Sequence, residues 1–358
     1  MNLKNWVLVE TKNLKDNMIV AEDIFNNDTK LITKNTRLNS SHIKKIQYVF
    51  PIGYIEIITS SIKGDFENIV FDIPVENHKE TEHIFSTISN NVDKMLSSIQ
   101  LSTRPSINIV REISQDMLSE ITDYTSALKS ITNERKIDEY LIHHSSNVAI
   151  LASMLGKWLN FTDKEILLLS YAGLLHDIGK TKISPHILDK PGSLTKEEFQ
   201  IIKRHPVISY DLVNKIPYID NSVAISILMH HERIDGSGYP LGIKNDKIHK
   251  FAKILGIVDM FDAMTSNKCY NKKISPFKAL EILQTNYIDK LDPIYLNTFI
   301  EKMANYYTGE LVILNTREIG KIIKIDIHNI AKPLLLIKDE FIDLSKKSDY
   351  NIVDLYNK

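Results

Sequence analysis

Apolar positions change their period three times along the chain. From Trp6 to about Val70, short apolar runs ("WVLVE", "NMIVAEDIF", "KLIT", "YIEIITS") are broken by Asn, Asp, Lys and Gly, the pattern of a small β-rich domain. One helix, near "SSHIKKIQYVF", interrupts it. Further on, Met117, Ile121, Tyr124, Leu128 and Ile131 recur at alternating spacings of four and three, a helical stripe close to a heptad. Such a stripe either packs on its own domain or, along the 107–131 segment, forms the seam of a homodimer. From 138 to about 307 the period is helical throughout, with start signals where helices should begin. Thr162 with Glu165 and Thr195 with Glu198 have capping-box spacing, and Ser275-Pro276 and Asp292-Pro293 place a cap residue before a first-turn proline. After residue 308, "ELVILN", "IGKIIKID", "KPLLLI" and "YNIVDL" return to strand-like runs. The expected fold is mainly α. A β-rich domain (1–75), a helical segment (76–137), an all-helical core (138–307) and a small β appendage (308–358) follow one another.

Composition narrows the functional classes more than the fold. With 358 residues and 43% hydrophobic content the chain can bury a large core. Forty-four basic residues against forty-five acidic give a net charge of -1, so there is no electrostatic footprint for duplex nucleic acid or a membrane surface. An anionic substrate would therefore need local cations. The single cysteine, Cys269, excludes an internal disulfide framework and fits a reducing cytoplasm, the expected location. No apolar stretch approaches the ~20 residues a membrane span needs, and "MNLKNWVLVETKN" lacks a signal-peptide apolar core.

Chemistry gathers in the helical region. "YAGLLHDIGKTK" looks at first like a phosphate loop through Gly173, Gly179, Lys180 and Thr181, but five residues separate its glycines instead of four and no strand precedes it. His144 shares a helix face with Leu141, Val148, Leu151 and Leu155, so its imidazole points with core-facing residues. A lone histidine there would be satisfied by a backbone carbonyl. This one is not alone: His176-Asp177 end an apolar helix, His205 precedes Pro206, and His230-His231 end "SVAISILMHH". Asp259 sits among apolar neighbours in "KILGIVDMFDAM". Burying that carboxylate unpaired would cost several kcal/mol or force it neutral, so a nearby cation is the economical explanation. Neutral imidazoles and ionised carboxylates are the ligands borderline divalent metals take, and Asp177 is the candidate bridge between two ions.

"HDIGK", "HHERIDGSGYP" and "VDMFDAMTSNKCY", in that order, resemble the HD-GYP subgroup of the HD phosphohydrolase family over about residues 130 to 300. The resemblance implies an all-helical fold with a two- or three-metal centre that hydrolyses cyclic di-GMP to linear pGpG, with further cleavage to GMP left open. Carried over residue by residue, it assigns His144, His176, Asp177 and Asp259 to one metal, and Asp177, His205, His230 and His231 to the other. Members with a third metal place a glutamate four residues before the first histidine; here that position is Tyr140, and Glu139 lies about 100° away on a helix. Two ions are therefore expected, iron or manganese, although zinc suits the same ligands. Set ~3.5–4 Å apart, they would hold a bridging hydroxide for attack on phosphorus. Asp177 and Lys180 are the catalytic candidates, Lys180 on the leaving-group side; the alternative for Lys180 is a solvated lysine at a helix end. Competing functions are an HD hydrolase acting on another cyclic dinucleotide or a nucleoside phosphate, and a low-activity adaptor that only binds nucleotide.

The same resemblance makes Asp235, Gly236, Gly238, Tyr239 and Pro240 a wall of the site, with Tyr239 packing more than reacting and Glu232 pairing with Arg233 nearby. Lys268, Tyr270 and Lys272 are the remaining substrate-contact candidates. They fall where members read arginine, proline, tyrosine and a basic residue, whereas this chain reads "KCYNKK" and has lost a bidentate guanidinium. Cys269 there reads as a small packed residue, not a nucleophile. Asp262 reads as helix support or an outer hydrogen-bond partner of the centre. The start "LKDNMIVAEDIF" resembles a domain found ahead of such units, with Asn17 replacing its usual glycine, and "GELVILN...IGKIIKID" resembles their β tail.

Overall fold

The computed structural model describes residues 6–26, 29–49, 54–58, 90–95, 106–120, 140–190, 192–266, 273–338 and 340–356. The chain divides into two units, residues 1–76 with 303–356, and residues 77–302. Its class is mainly α, a helical core with β structure before and after it in sequence.

In the first unit, β1 (Trp6–Glu10) pairs antiparallel with β4 (Tyr54–Ile58), setting Trp6 opposite Ile58 and Glu10 opposite Tyr54. β2 (Ile24–Asn26) pairs with β3 (Thr29–Ile32), and α1 (Ser40–Val49) lays Ile46 into a core shared with Val9, Val20, Leu38 and Ile57. Asn17 has φ of 74°, in the left-handed region where asparagine is the side chain best tolerated after glycine. Asparagine at this position is therefore compatible with the turn the backbone makes here. The C-terminal strands β5 (Leu311–Leu314), β6 (Ile319–Lys324), β7 (Leu334–Ile337), β8 (Glu340–Asp343) and β9 (Ile352–Leu355) form one antiparallel sheet in the order β8-β7-β6-β5-β9. Alternate residues of β5 and β7 are buried, the period of a half-buried strand. β8, "EFID", shows no such alternation and sits at a sheet edge, which is why its sequence gives no strand signal.

The helices of the second unit run α2 (Ile107–Glu120), α3 (Tyr140–Trp158), α4 (Asp163–Leu175), α5 (Pro185–Leu188), α6 (Lys196–Ile202), α7 (His205–Val213), α8 (Asn221–Met229), α9 (Lys250–Thr265) and α10 (Pro276–Asn286); α11 (Pro293–Tyr307) comes after them in the chain. Their starts are dictated locally. Both capping boxes are formed, at Thr162 with Glu165 and Thr195 with Glu198. Ser275 accepts from the Lys278 amide, and Asp292 Oδ1 accepts from the amides of Ile294 at 3.1 Å and Tyr295 at 3.3 Å. Replacing such a cap by alanine costs about 1 kcal/mol. Val148, Leu151 and Leu155 of α3 are fully buried, as are Leu169 of α4 and Ile254, Val258 and Phe261 of α9. Each such side chain contributes about 1.5–3 kcal/mol. On α2, Val110, Ile113 and Met117 are buried and the helix packs on α4; Ile121, Tyr124, Leu128 and Ile131, the rest of the stripe read as a dimer seam, lie outside the described residues. No described helix is long and apolar enough to cross a membrane.

Two glycines allow unusually close approaches between helices. A Cβ on Gly173 would stand 2.5 Å from Ala149 Cα, so only glycine lets α4 lie this near α3. A Cβ on Gly179 would stand 2.4 Å from the His205 carbonyl, so glycine also lets the turn after α4 press on the start of α7. The glycines that imitate a phosphate loop in the sequence are packing residues. They draw parts of three helices to one place.

Candidate metal centre

That place collects all seven of the expected imidazoles and carboxylates. His144 lies in the second turn of α3, His176 caps the C-terminus of α4 with Asp177 next to it, His205 opens α7, His230 caps α8 with His231 following, and Asp259 lies in the interior of α9. His144, His176, Asp177, His205 and His230 are at most 1% exposed. Donor atoms of His144, His176 and Asp259 come within 4.8 Å of one another, as do those of His205, His230 and His231. A third grouping, His176, Asp177 and His230, joins the two triplets. Asp177 reaches both ways: Oδ2 is 3.3 Å from His144 Nε2 and 3.4 Å from His176 Nε2, while Oδ1 is 3.2 Å from His205 Nε2. Asp259 Oδ1 lies 3.1 Å from His144 Nε2.

The orientation of the rings tests whether cations fit. Nδ1 of His176 faces the Gly173 carbonyl at 2.7 Å, Nδ1 of His205 the Ile202 carbonyl at 2.7 Å, and Nδ1 of His230 the Ile227 carbonyl at 2.6 Å. A carbonyl only accepts, so each Nδ1 carries the hydrogen and each ring turns inward its Nε2, the atom that bears the lone pair of a neutral imidazole. The lone pairs of His205 and His230 meet, their Nε2 atoms 3.3 Å apart, and Nε2 of His231 lies 3.1 Å from that of His205. Asp177 Oδ1 is buried with no hydrogen-bond donor. Facing lone pairs and an orphaned carboxylate oxygen repel one another unless positive charge lies between them. Imidazole nitrogens and carboxylate oxygens at this density are a donor set for divalent cations.

Charge states follow from the same geometry. Burial pushes His205 down to about 4 and His230 down to about 3, and burial with the neighbouring His230 holds His231 well below the usual imidazole range. These three are therefore neutral, as ligands must be. For His144 burial also opposes protonation, but hydrogen bonds to Asp177, Asp259 and Asp262 outweigh it and push the ring up to about 10. Burial opposes ionisation of Asp177 and Asp259 as well; positive neighbours, Lys180 first for Asp177 and His144 for Asp259, hold both carboxyls well below the usual carboxylate range.

A second layer fixes the first. Asp262 Oδ2 accepts from His144 Nδ1 at 2.7 Å, and Asp262 Oδ1 accepts from the Asn147 amide at 2.6 Å, all three buried. Asp262 thus orients His144, as backbone carbonyls orient His176, His205 and His230. Asn147 carries no signal in the sequence, because its partner is 115 residues away. Lys180 Nζ pairs with Asp177 Oδ2.

The loop after α8 departs from expectation in one respect. Glu232 and Arg233 do not pair with each other: the buried Glu232 carboxylate accepts from the amides of Leu241 at 2.6 Å, Gly242 at 3.2 Å and Ile243 at 3.2 Å, while Arg233 Nη1 donates to the Glu232 carbonyl at 3.0 Å. A carboxylate satisfied by three backbone N–H groups has no need of a side-chain cation, and it anchors the loop. Asp235 is exposed and accepts from Ser237 N and Oγ, and Gly236 has φ of 85°. Gly238 lies against the backbone of Glu232 and Arg233, and a cis peptide joins Tyr239 to Pro240. The Tyr239 ring stacks on His231, centroids 4.6 Å apart at 31°. Burial raises its phenol, which stays protonated. Lys268, Tyr270 and Lys272 lie outside the described residues, with Cys269.

Known proteins resemble this chain in sequence and in fold. The HD domain family matches residues 116–294, half of the chain. A cyclic di-GMP phosphodiesterase of Pseudomonas aeruginosa, PA4108, is 32% identical over 224 residues, covering 63% of this chain and 53% of that protein. The 3'3'-cGAMP-specific phosphodiesterase 3 of Vibrio cholerae is 34% identical over 155 residues, 43% of this chain and 33% of that protein. The chain thus spans about half, or a third, of the length of these relatives. The solved structure of Bd1817, an HDG"Y"P protein from Bdellovibrio bacteriovorus, is alike in fold, with a TM-score of 0.53 at 18% identity over 83% of this chain and 99% of that one. The chain belongs to the HD domain family.

Proposed function

We propose that this chain is a metal-dependent phosphodiesterase that opens cyclic di-GMP to linear pGpG at a pair of divalent cations, iron or manganese. The observation that carries the reading is the pair of donor triplets joined by Asp177, with imidazole lone pairs already turned inward. One triplet would take one cation and the other its neighbour, with Asp177 offering an oxygen to each. When bound, such ions supply Lewis acidity and bring the pKa of a water toward neutrality.

The chain's own groups supply the rest. Hydrolysis forms a bond between phosphorus and the water oxygen, breaks the bond from phosphorus to a ribose 3′ oxygen, and leaves a proton on that oxygen. Lys180 Nζ, a fifth exposed beside Asp177, is the protonated group suited to meet charge building on the leaving oxygen. Asp262 and Asn147 keep His144 from rotating, and Tyr239 covers one side of His231 without giving up its proton. A relative specific for 3'3'-cGAMP favours a second reading, in which the substrate is a mixed cyclic dinucleotide. Protein purified without oxygen, loaded with iron or manganese and incubated with cyclic di-GMP, 3'3'-cGAMP and cyclic di-AMP distinguishes these readings by its linear products. Fully loaded protein that binds a dinucleotide and returns it intact would make the chain a binding adaptor instead.

A further inference from the structure

We infer that Lys203, held between the rings of Phe199 and Tyr239, forms an anion subsite for the phosphate of a cyclic dinucleotide that is not being cleaved; the inference rests on the proposed phosphodiesterase activity. Lys203 follows α6 two residues before His205, so the segment that supplies a metal-ligand candidate also carries this cation. Its Nζ lies 5.0 Å from the centroid of the Phe199 ring and 5.1 Å from that of Tyr239. Tyr239 stacks in turn on His231, so the ammonium is one ring removed from the donor cluster.

Two aromatic faces hold an ammonium by their quadrupoles and leave its N–H donors able to bind an anion. Among the described residues no carboxylate pairs with Lys203, which is half-buried, whereas Lys180 is engaged by Asp177. Held in place by rings, a lysine without a carboxylate is prepared to bind a phosphate as a point charge. A cyclic dinucleotide carries two phosphodiesters, and while one is cleaved at the donor cluster the other needs a cation elsewhere. The net charge of -1 offers no diffuse positive field to do this, so a placed lysine matters. Phe199, 46% exposed, adds an aromatic surface on which a purine can lie.

The test compares wild type with Lys203→Met, which keeps the apolar stem and removes the charge, and with Lys203→Arg, each in the metal-loaded full chain. Two substrates are used, cyclic di-GMP and bis(p-nitrophenyl) phosphate, which has a single phosphate and no base. Lys203→Met should raise KM for cyclic di-GMP about tenfold with kcat less affected, should act much less on the small diester, and should leave the metal content per chain at the wild-type value. Lys203→Arg should recover most of the lost KM. Equal losses on both substrates, or an unchanged KM for cyclic di-GMP, would overturn the subsite while the phosphodiesterase reading stands. A wild-type protein that cleaves the small diester and leaves every cyclic dinucleotide intact would overturn the substrate assignment, and the subsite with it.

Discussion

The two triplets of the centre solve the same problem with different chemistry. His144, His176 and Asp259 bring a carboxylate, and behind His144 stands a further one, Asp262. His205, His230 and His231 bring only imidazoles, and backbone carbonyls tie the first two. Without a cation the first triplet therefore attracts a proton, held by His144 up to about 10, while burial keeps His205 neutral down to about 4 and His230 down to about 3. A metal entering the first half would displace a proton at neutral pH, whereas one entering the second would meet the lone pairs of His205 and His230 already free. Burial can thus prepare one site by neutralising it and its neighbour by concentrating charge. Asp177, shared between them, ties the two together.

Breaking that shared tie should give the largest effect. Asp177→Asn should abolish retention of both cations together, with loss of hydrolysis on the order of a thousandfold, about 4 kcal/mol of transition-state stabilisation. Metal analysis and turnover on the same preparation check it; a variant that keeps one ion per chain would show the halves to be independent. Asp262→Asn separates the halves more sharply. Because the carboxylate orients only His144, metal affinity at the first triplet should fall about ten- to a hundredfold while the second is less affected, as read by metal titration.

The smallest effect concerns pH. In chelated protein the lowered values of His205 and His230 mean that the unfolded chain binds more protons than the folded one below pH 6.5, so stability falls with pH between 6.5 and about 4 for His205 and continues toward about 3 for His230. His144, raised to about 10, works oppositely: its contribution is fully present below 6.5 and is lost as pH rises through 10. Thermal melts of the metal-free protein should therefore shift downward by several degrees between about pH 6.5 and about pH 4.5. His205→Gln should flatten that acid limb. An unchanged limb would show that His205 does not stay neutral in the folded chain.

Much of this molecule is written locally. Thr162, Thr195, Ser275 and Asp292 announce helix starts because a cap needs only the next few residues, and each cap forms as its spacing requires. The residue types of the donor set are equally local, since His176-Asp177 and His230-His231 stand at the ends of apolar helices. Asn147 and the loop-anchoring role of Glu232 cannot be read this way. Pairing Glu232 with Arg233 is the wrong neighbour choice: adjacency in sequence suggests a partner, whereas the buried carboxylate finds three amides of the returning loop.

Order along the chain thus settles which side chains are available and which helices carry them. Folding settles which nitrogen of each ring faces inward, how the donors divide into two triplets joined by Asp177, and that His144 meets Asp262 across 118 residues. The reason is range: capping and periodicity act within a turn or two, while convergence depends on how closely helices can cross, and here that is set by bare Cα positions at Gly173 and Gly179.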